Sequence, residues 1–270
     1  MITVHEFEKR YGEFVAVSGV SFSVPKGAVA ALVGQNGAGK TTTMRTLCGI
    51  LRPSRGDLSV AGASIVADPI SVKWRTAYVP DDPPLFLSLT VWEHLDFVAT
   101  TYSIENWEAI ADGLCERFDL VEKKHVLASG LSRGMRQKVA IVCAYLRSPD
   151  VLLLDEPMTG LDPPSIRTLK DTIREQGDRG ATILVSSHLL SLVEDLCDHL
   201  VLMRKGSVLY CGSMEEARTE FGGSEQSLEE VFFRLTNGDL MAGAGNDRST
   251  GESQSPYESK VEESSGEQDA

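Results

Sequence analysis

Apolar positions change their period along the chain, and the changes divide it. Thr3–Phe7 and Val15–Val24 alternate apolar and polar residues roughly as half-buried strands do, with a Pro25-Lys26-Gly27 turn after them. Val29–Val33 is continuously apolar, the pattern of a strand buried on both faces. Thr41–Leu51 reads as a helix stopped by Pro53, and Asp57–Val66 as a strand pair turning near Gly62. Between residues 82 and 149 the period becomes helical, most clearly in Val91–Thr101 and Asn106–Phe118. From Asp150 the α/β rhythm returns. Val151–Leu154 reads as a buried strand, Pro164–Gln176 as a helix, Ala181–Val185 as a strand and Leu189–Cys197 as a helix. Leu200–Met203 and Ser207–Tyr210 read as strands, and residues 228–236 as a short amphipathic helix. Strands alternating with helices predict a parallel sheet whose ligands gather at the strand C-termini.

Charge separates the end of the chain from the rest. The whole chain of 270 residues carries −13, but residues 237–270 hold eight acids against Arg248 and Lys260, which leaves −7 on the body. That final stretch has almost no large apolar residues, so it cannot offset its ordering entropy and is expected to be a disordered tail. An acidic body argues against wrapping nucleic acid, which needs Lys and Arg to neutralise phosphates. The five cysteines are scattered, without a C-x-x-C pair, and read as reduced, buried apolar residues of a cytosolic protein. The chain shows no N-terminal signal pattern, and its longest apolar run is Val139–Leu146, far short of the roughly 20 residues that span a bilayer. Any membrane work therefore needs a span from another chain.

Two segments carry chemistry. Gly34-Gln35-Asn36-Gly37-Ala38-Gly39-Lys40-Thr41-Thr42 is a complete G-x-x-x-x-G-K-[ST] loop, delivered by an apolar run and followed by a helix. In that setting backbone N–H groups and the positive helix end converge on one point, which suits a phosphate chain. Lys40 reaches β- and γ-phosphates, and the Thr41 hydroxyl binds Mg²⁺. The second segment, Val151 to Glu156, is a buried strand ending in two acids at the same sheet edge. There Asp155 holds Mg²⁺, and Glu156 orients an attacking water and accepts its proton. A further stretch, Leu131-Ser132-Arg133-Gly134-Met135, opens a helix with Ser132 as N-cap and offers a second anion-binding end.

Taken together and in order, these segments resemble the nucleotide-binding subunit of an ATP-binding cassette (ABC) transporter. The resemblance covers about residues 1–236, with a helical subdomain at about 82–149. It implies an α/β fold of the P-loop NTPase (RecA-like) kind: a mostly parallel sheet core, an N-terminal antiparallel β part and the inserted helices. Leu131–Met135 resembles the signature usually written LSGGQ, with Ser132 and Gly134 kept and Met135 in place of Gln. Its spacing of 16 residues from Met135 to Val151 supports that match. Thr159-Gly160-Leu161-Asp162 resembles the D-loop, His188 the switch histidine that touches the γ-phosphate, and Tyr11 the aromatic residue that stacks on adenine. Asp81 stands where the family carries the Q-loop glutamine. As a charged acceptor it either binds Mg²⁺ or repels the γ-phosphate when Mg²⁺ is missing.

The resemblance implies ATP and Mg²⁺ as cofactors and hydrolysis of ATP coupled to transport. It also implies two cassettes, identical or different, each ATP lying between the P-loop of one and the signature of the other. The Asp81 and Met135 substitutions resemble those of exporters with ABC-2-type membrane permeases. The chain is therefore expected to be cytoplasmic, held peripherally at the cytoplasmic face of the cell membrane by such a permease and without a nucleic-acid partner. A soluble ABC-type ATPase acting on ribosomes or DNA is the alternative. Such proteins usually carry two cassettes or long coiled coils and basic surfaces, and this chain has none of these.

Overall fold

The structure, a computed structural model, describes residues 1–221. The sequence-predicted helix at 228–236 and the acidic tail from 237 lie outside the described residues. In chain order the elements are β1 (Ile2–Tyr11), β2 (Phe14–Val24), β3 (Val29–Val33), α1 (Lys40–Leu47), β4 (Arg55–Val60), β5 (Ala63–Ser64), α2 (Pro69–Arg75) and β6 (Thr76–Val79). Then come α3 (Val91–Tyr102), α4 (Trp107–Arg117), α5 (Arg133–Leu146), β7 (Val151–Asp155), α6 (Pro163–Asp178), β8 (Thr182–Ser187), β9 (His199–Arg204), β10 (Ser207–Ser213) and α7 (Met214–Phe221).

Two sheets form. The first is antiparallel, in the order β2-β1-β4-β5; the second runs β10-β9-β3-β8-β7-β6. In the second, β9, β3, β8, β7 and β6 are mutually parallel and only β10 runs against its neighbour. The side chains of β3, β7 and β8 divide between two cores. Ala31, Val33, Leu152, Leu154, Ile183 and Val185 enter a cluster with α3, α4, α5 and α6. Ala30, Leu32, Val151, Leu153 and Leu184 enter a cluster with α1 and the antiparallel sheet. A strand covered on both faces needs apolar residues at every position, which is why these segments do not alternate.

Helix ends follow local chemistry. Thr90 and Glu93 form a reciprocal capping box at α3: Thr90 Oγ1 accepts from Glu93 N–H at 3.2 Å, and Glu93 Oε2 accepts from Thr90 N–H at 2.7 Å. Asp68, Ser132 and Asp162 accept from the first turns of α2, α5 and α6.

Several sequence expectations are corrected. The helix expected over Leu189–Cys197 is a single 3₁₀ turn, Leu190–Leu192, followed by further turns. Its apolar residues Leu190, Val193, Leu196 and Cys197 are nonetheless buried, because turns of three residues keep that spacing on one face. The helix expected to reach Leu51 ends at Leu47; Gly49 takes φ +72°, and the Ile50 and Leu51 N–H groups both turn back to Arg45 O. Helices α2 and α7 had no counterpart in the hydrophobic pattern. Cys48, Cys115 and Cys197 are buried, and burial pushes the Cys48 thiol up to about 11. Cys143 is only half-buried, however, and Cys211 is exposed on the sheet-edge strand β10.

Leu153 is fully buried between β7 and the antiparallel layer. Leu153→Ala is expected to lower stability by about 2–5 kcal/mol, read as a fall in the midpoint of urea unfolding with an unchanged slope.

Candidate nucleotide site

Parallel register sets the site. Val33 lies opposite Ser187, Asp155 opposite Ser186 and Val79 opposite Leu154, so β3, β6, β7 and β8 all end at one edge. The loop residues just beyond these strands are therefore held close together: Gly34 after β3, Pro80 and Asp81 after β6, Glu156 after β7 and His188 after β8.

The loop after β3 is shaped by contacts that exclude side chains. A Cβ on Gly34 would collide with Met203 O at 2.5 Å and Ala38 Cβ at 2.8 Å. Gly39 takes φ +102° as the N-cap of α1 and supplies no side-chain cap. The N–H groups of the first α1 turn thus have no side-chain acceptor and face outward for an anion. Beside them lies a cleft of about 290 Å³, lined by Gln35, Asn36, Gly37, Ala38, Gly39, Lys40, Thr41 and Thr42, and by Phe14, Ala16, Asp81 and Glu156.

Lys40 is buried, yet its ammonium is engaged: it donates to Gly34 O at 2.6 Å and Gln35 O at 3.4 Å, and lies 3.3 Å from Glu156 Oε1. That Glu156 oxygen has no aligned hydrogen bond and rests on the lysine charge. His188 Nδ1 is 2.9 Å from Glu156 Oε2; a carboxylate only accepts, so the ring donates. Glu156 itself has a left-handed backbone at φ +48°, and its N–H donates to Ser186 Oγ at 2.9 Å.

Asp155 sits deeper and is almost wholly buried. Ser186 Oγ donates to its Oδ1 at 2.5 Å and Tyr78 OH to its Oδ2 at 3.2 Å. Burial, then the Asp155 charge, push the Tyr78 hydroxyl far above the ordinary tyrosine value, so it stays protonated as a donor. A buried carboxylate fixed by two hydroxyls, an N-terminal helix cradle and a charged lysine together fit a metal-bound polyphosphate. Among the described residues no cluster of three or more His, Cys, Asp or Glu side chains is preassembled as a metal cage. Mg²⁺ in general keeps waters and phosphate oxygens as ligands and takes one or two protein donors.

Of the residues singled out in the sequence, Gly34, the cradle through Thr42, Asp81, Asp155, Glu156 and His188 come together at this edge. Tyr11 does not line the cleft; the ring that does is Phe14, its cross-strand partner, and Lys9 Nζ lies 5.2 Å from the Tyr11 ring centre. Ser132, Gly134 and Asp162 are also outside the lining. Ser132 Oγ accepts from Met135 N–H at 3.2 Å, and Asp162 from Ser165 N–H at 3.2 Å. The Ser165 hydrogen bond holds the Asp162 carboxyl below its usual value. A Cβ on Gly134 would meet Gly160 O at 2.7 Å, so the α5 start and the Thr159–Asp162 turn pack tightly together.

A family model described as ABC transporter matches residues 17–159, more than half of the chain. The chain belongs to the ABC transporter ATP-binding family. The ATP-binding protein EcsA of Bacillus subtilis (strain 168) is 32% identical over 241 residues, covering 88% of this chain and 98% of EcsA. The SkfA peptide export ATP-binding protein SkfE of the same organism is 36% identical over 222 residues, covering 80% of this chain and 92% of SkfE. A solved structure described as the ATP binding subunit of an ABC transporter superposes with a TM-score of 0.83 at 35% identity, covering 87% of this chain and 99% of that one. This ABC protein is thus a P-loop NTPase with the family's mixed sheets and the ATPase subunit of a transporter. Among the described residues no helix is long and apolar enough to cross a membrane.

Sequence reasoning missed Ser186, Tyr78 and Phe14. Ser186 follows from strand register, being the partner of Asp155 on β8; Tyr78 is paired with Leu153 and reaches Asp155 only through the length of its side chain. Ser186→Ala removes the donor to Asp155 and the acceptor of Glu156 N–H together. It is expected to destabilise the fold by about 1–3 kcal/mol, measured by denaturant unfolding.

Proposed function

We propose that this ABC protein hydrolyses ATP with Mg²⁺ in a head-to-tail pair of cassettes and drives an ABC-2-type membrane permease, most simply in export. The observation that carries this reading is the meeting of Lys40, Asp155, Glu156 and His188 around the uncapped N-terminus of α1. Lys40 would exchange its carbonyl partners for β- and γ-phosphate oxygens. Thr41 and Asp155 would hold Mg²⁺, with Asp81 as a further oxygen donor, and the cation would neutralise charge on the phosphates. Phe14, exposed at the cleft mouth, offers a face for the base in place of Tyr11.

Glu156 accepts a proton from the attacking water while His188, bonded to its other oxygen, keeps the carboxylate aimed. The water oxygen adds to the γ-phosphorus as the bond to the β–γ bridging oxygen breaks, giving ADP and phosphate. Ser132, Gly134 and Asp162, away from this cleft, would serve the nucleotide of a second cassette, identical or different. Closing the pair on ATP and opening it after hydrolysis is a population shift whose differential contact is the γ-phosphate.

Motion would leave through the helices inserted at about 82–149 in a cassette of residues 1–236. A groove of about 260 Å³ beside Asp81 is lined by Pro83, Pro84, Leu85, Phe86, Phe97 and Tyr102, with Phe86 and Phe97 about half exposed. An apolar groove of this kind accepts a helix from a permease at the cytoplasmic face of a cell membrane. Export is supported by the SkfE name and by the Asp81 and Met135 substitutions. A ribosome- or DNA-directed ATPase gains nothing from an acidic body.

Glu156→Gln is expected to slow single-turnover hydrolysis by about 10²–10⁴-fold while ATP still binds; wild-type turnover would refute the general-base role. Lys40→Ala is expected to abolish tight ATP binding in calorimetry, and unchanged affinity would sink the phosphate-cradle assignment.

A further inference from the structure

Asp81 is a carboxylate in a cleft built for phosphates, and it is not left alone. Arg133 Nη2 donates to Asp81 Oδ1 at 2.8 Å, across 52 residues of sequence. Arg133 is the first residue of α5, inside the Leu131–Met135 signature segment. Its stem is directed as well as its head: a Cβ at Gly160 would lie 3.7 Å from Arg133 Cδ, so the side chain runs along the Thr159–Asp162 turn towards the cleft. The other arginine in the first turn of α5, Arg136, is committed elsewhere, donating to Leu131 O at 3.0 Å. The cleft's own cation, Lys40, is matched to Glu156. Arg133 is thus the cation in direct contact with the Asp81 charge.

Resting on the proposed nucleotide site, we propose that Arg133 is a positioning residue for the phosphate cleft of its own chain. It holds the Asp81 carboxylate at the cleft wall and offsets its charge, so a signature residue tunes nucleotide affinity in cis. Without that pairing, Asp81 repels a polyphosphate that lacks a metal. Both side chains are about half exposed, so the effect is modest and screened by salt. Arg133 also sits on the segment that would face a second cassette's nucleotide. Its charge cannot be given fully to both sites, which links occupancy of one cleft to affinity in the other.

The test is the affinity of the full chain for trinitrophenyl-ATP in EDTA, at low salt and at about 1 M salt, where the Debye length falls to about 3 Å. At low salt Arg133→Gln is expected to weaken binding about two- to fivefold, Arg133→Lys to restore most of it, and high salt to erase the difference. Asp81→Asn is expected to tighten metal-free binding and to make Arg133→Gln silent. An Arg133→Gln protein with wild-type affinity, or one weakened equally in the Asp81→Asn background, overturns the proposal. If the wild-type chain binds no nucleotide, the proposed site itself fails; if it binds, Lys40→Ala does not and Arg133→Gln matches wild type, only the Arg133 role fails.

Discussion

Four parallel strands, β3, β6, β7 and β8, ending in step are the constraint on which everything else depends. Their register, Val33 with Ser187 and Asp155 with Ser186, brings four loop starts to one edge without any loop having to be long. Strand β8 lies between the strand that delivers the phosphate loop and the strand that delivers the acids. Ser186 and Ser187 at its end tie the two together: Ser186 Oγ bridges Asp155 and the Glu156 N–H, and Ser187 O accepts from Gly34 N–H at 3.3 Å. The reactive side chains thus inherit their precision from backbone hydrogen bonding in a doubly covered sheet.

Electrostatics within that frame are paired rather than pooled. Lys40 answers Glu156, two hydroxyls answer Asp155, and Arg133 answers Asp81. Burial decides how much each pairing weighs. Asp155 and Lys40 are removed from water, so losing a partner there costs several times what losing one costs at the half-exposed Arg133–Asp81 pair.

Much of this was legible in the sequence because the informative segments obey strong local rules. Val29–Val33 and Val151–Leu154 are apolar without alternation, and the Gly34–Thr42 loop has few other physical meanings. Three kinds of feature escaped. Short elements did, as with α2, whose Asp68-Pro69 start is a usable cap signal but whose seven residues show no clear period. Turns mimicking helices did, at Leu190–Leu196, where burial at every third residue looks the same in either form. Cross-strand geometry was the third: Tyr11 and Phe14 are partners at one hairpin end, and nothing in the sequence says which ring reaches the cleft. The Arg133–Asp81 contact belongs to this last kind, being made by the packing of α5 beside β6 rather than by either segment.

The left-handed backbone of Glu156 has its own consequence. At φ +48° a glycine or asparagine is more comfortable than a glutamate, so the backbone works against its base while the contact with buried Lys40 works for it. Any replacement here sets a relaxed backbone against a buried lysine left without its carboxylate. A heat-hardened library of this protein therefore has to be sorted on turnover, since a melting temperature sums these opposed terms and is blind to whether the base is still present.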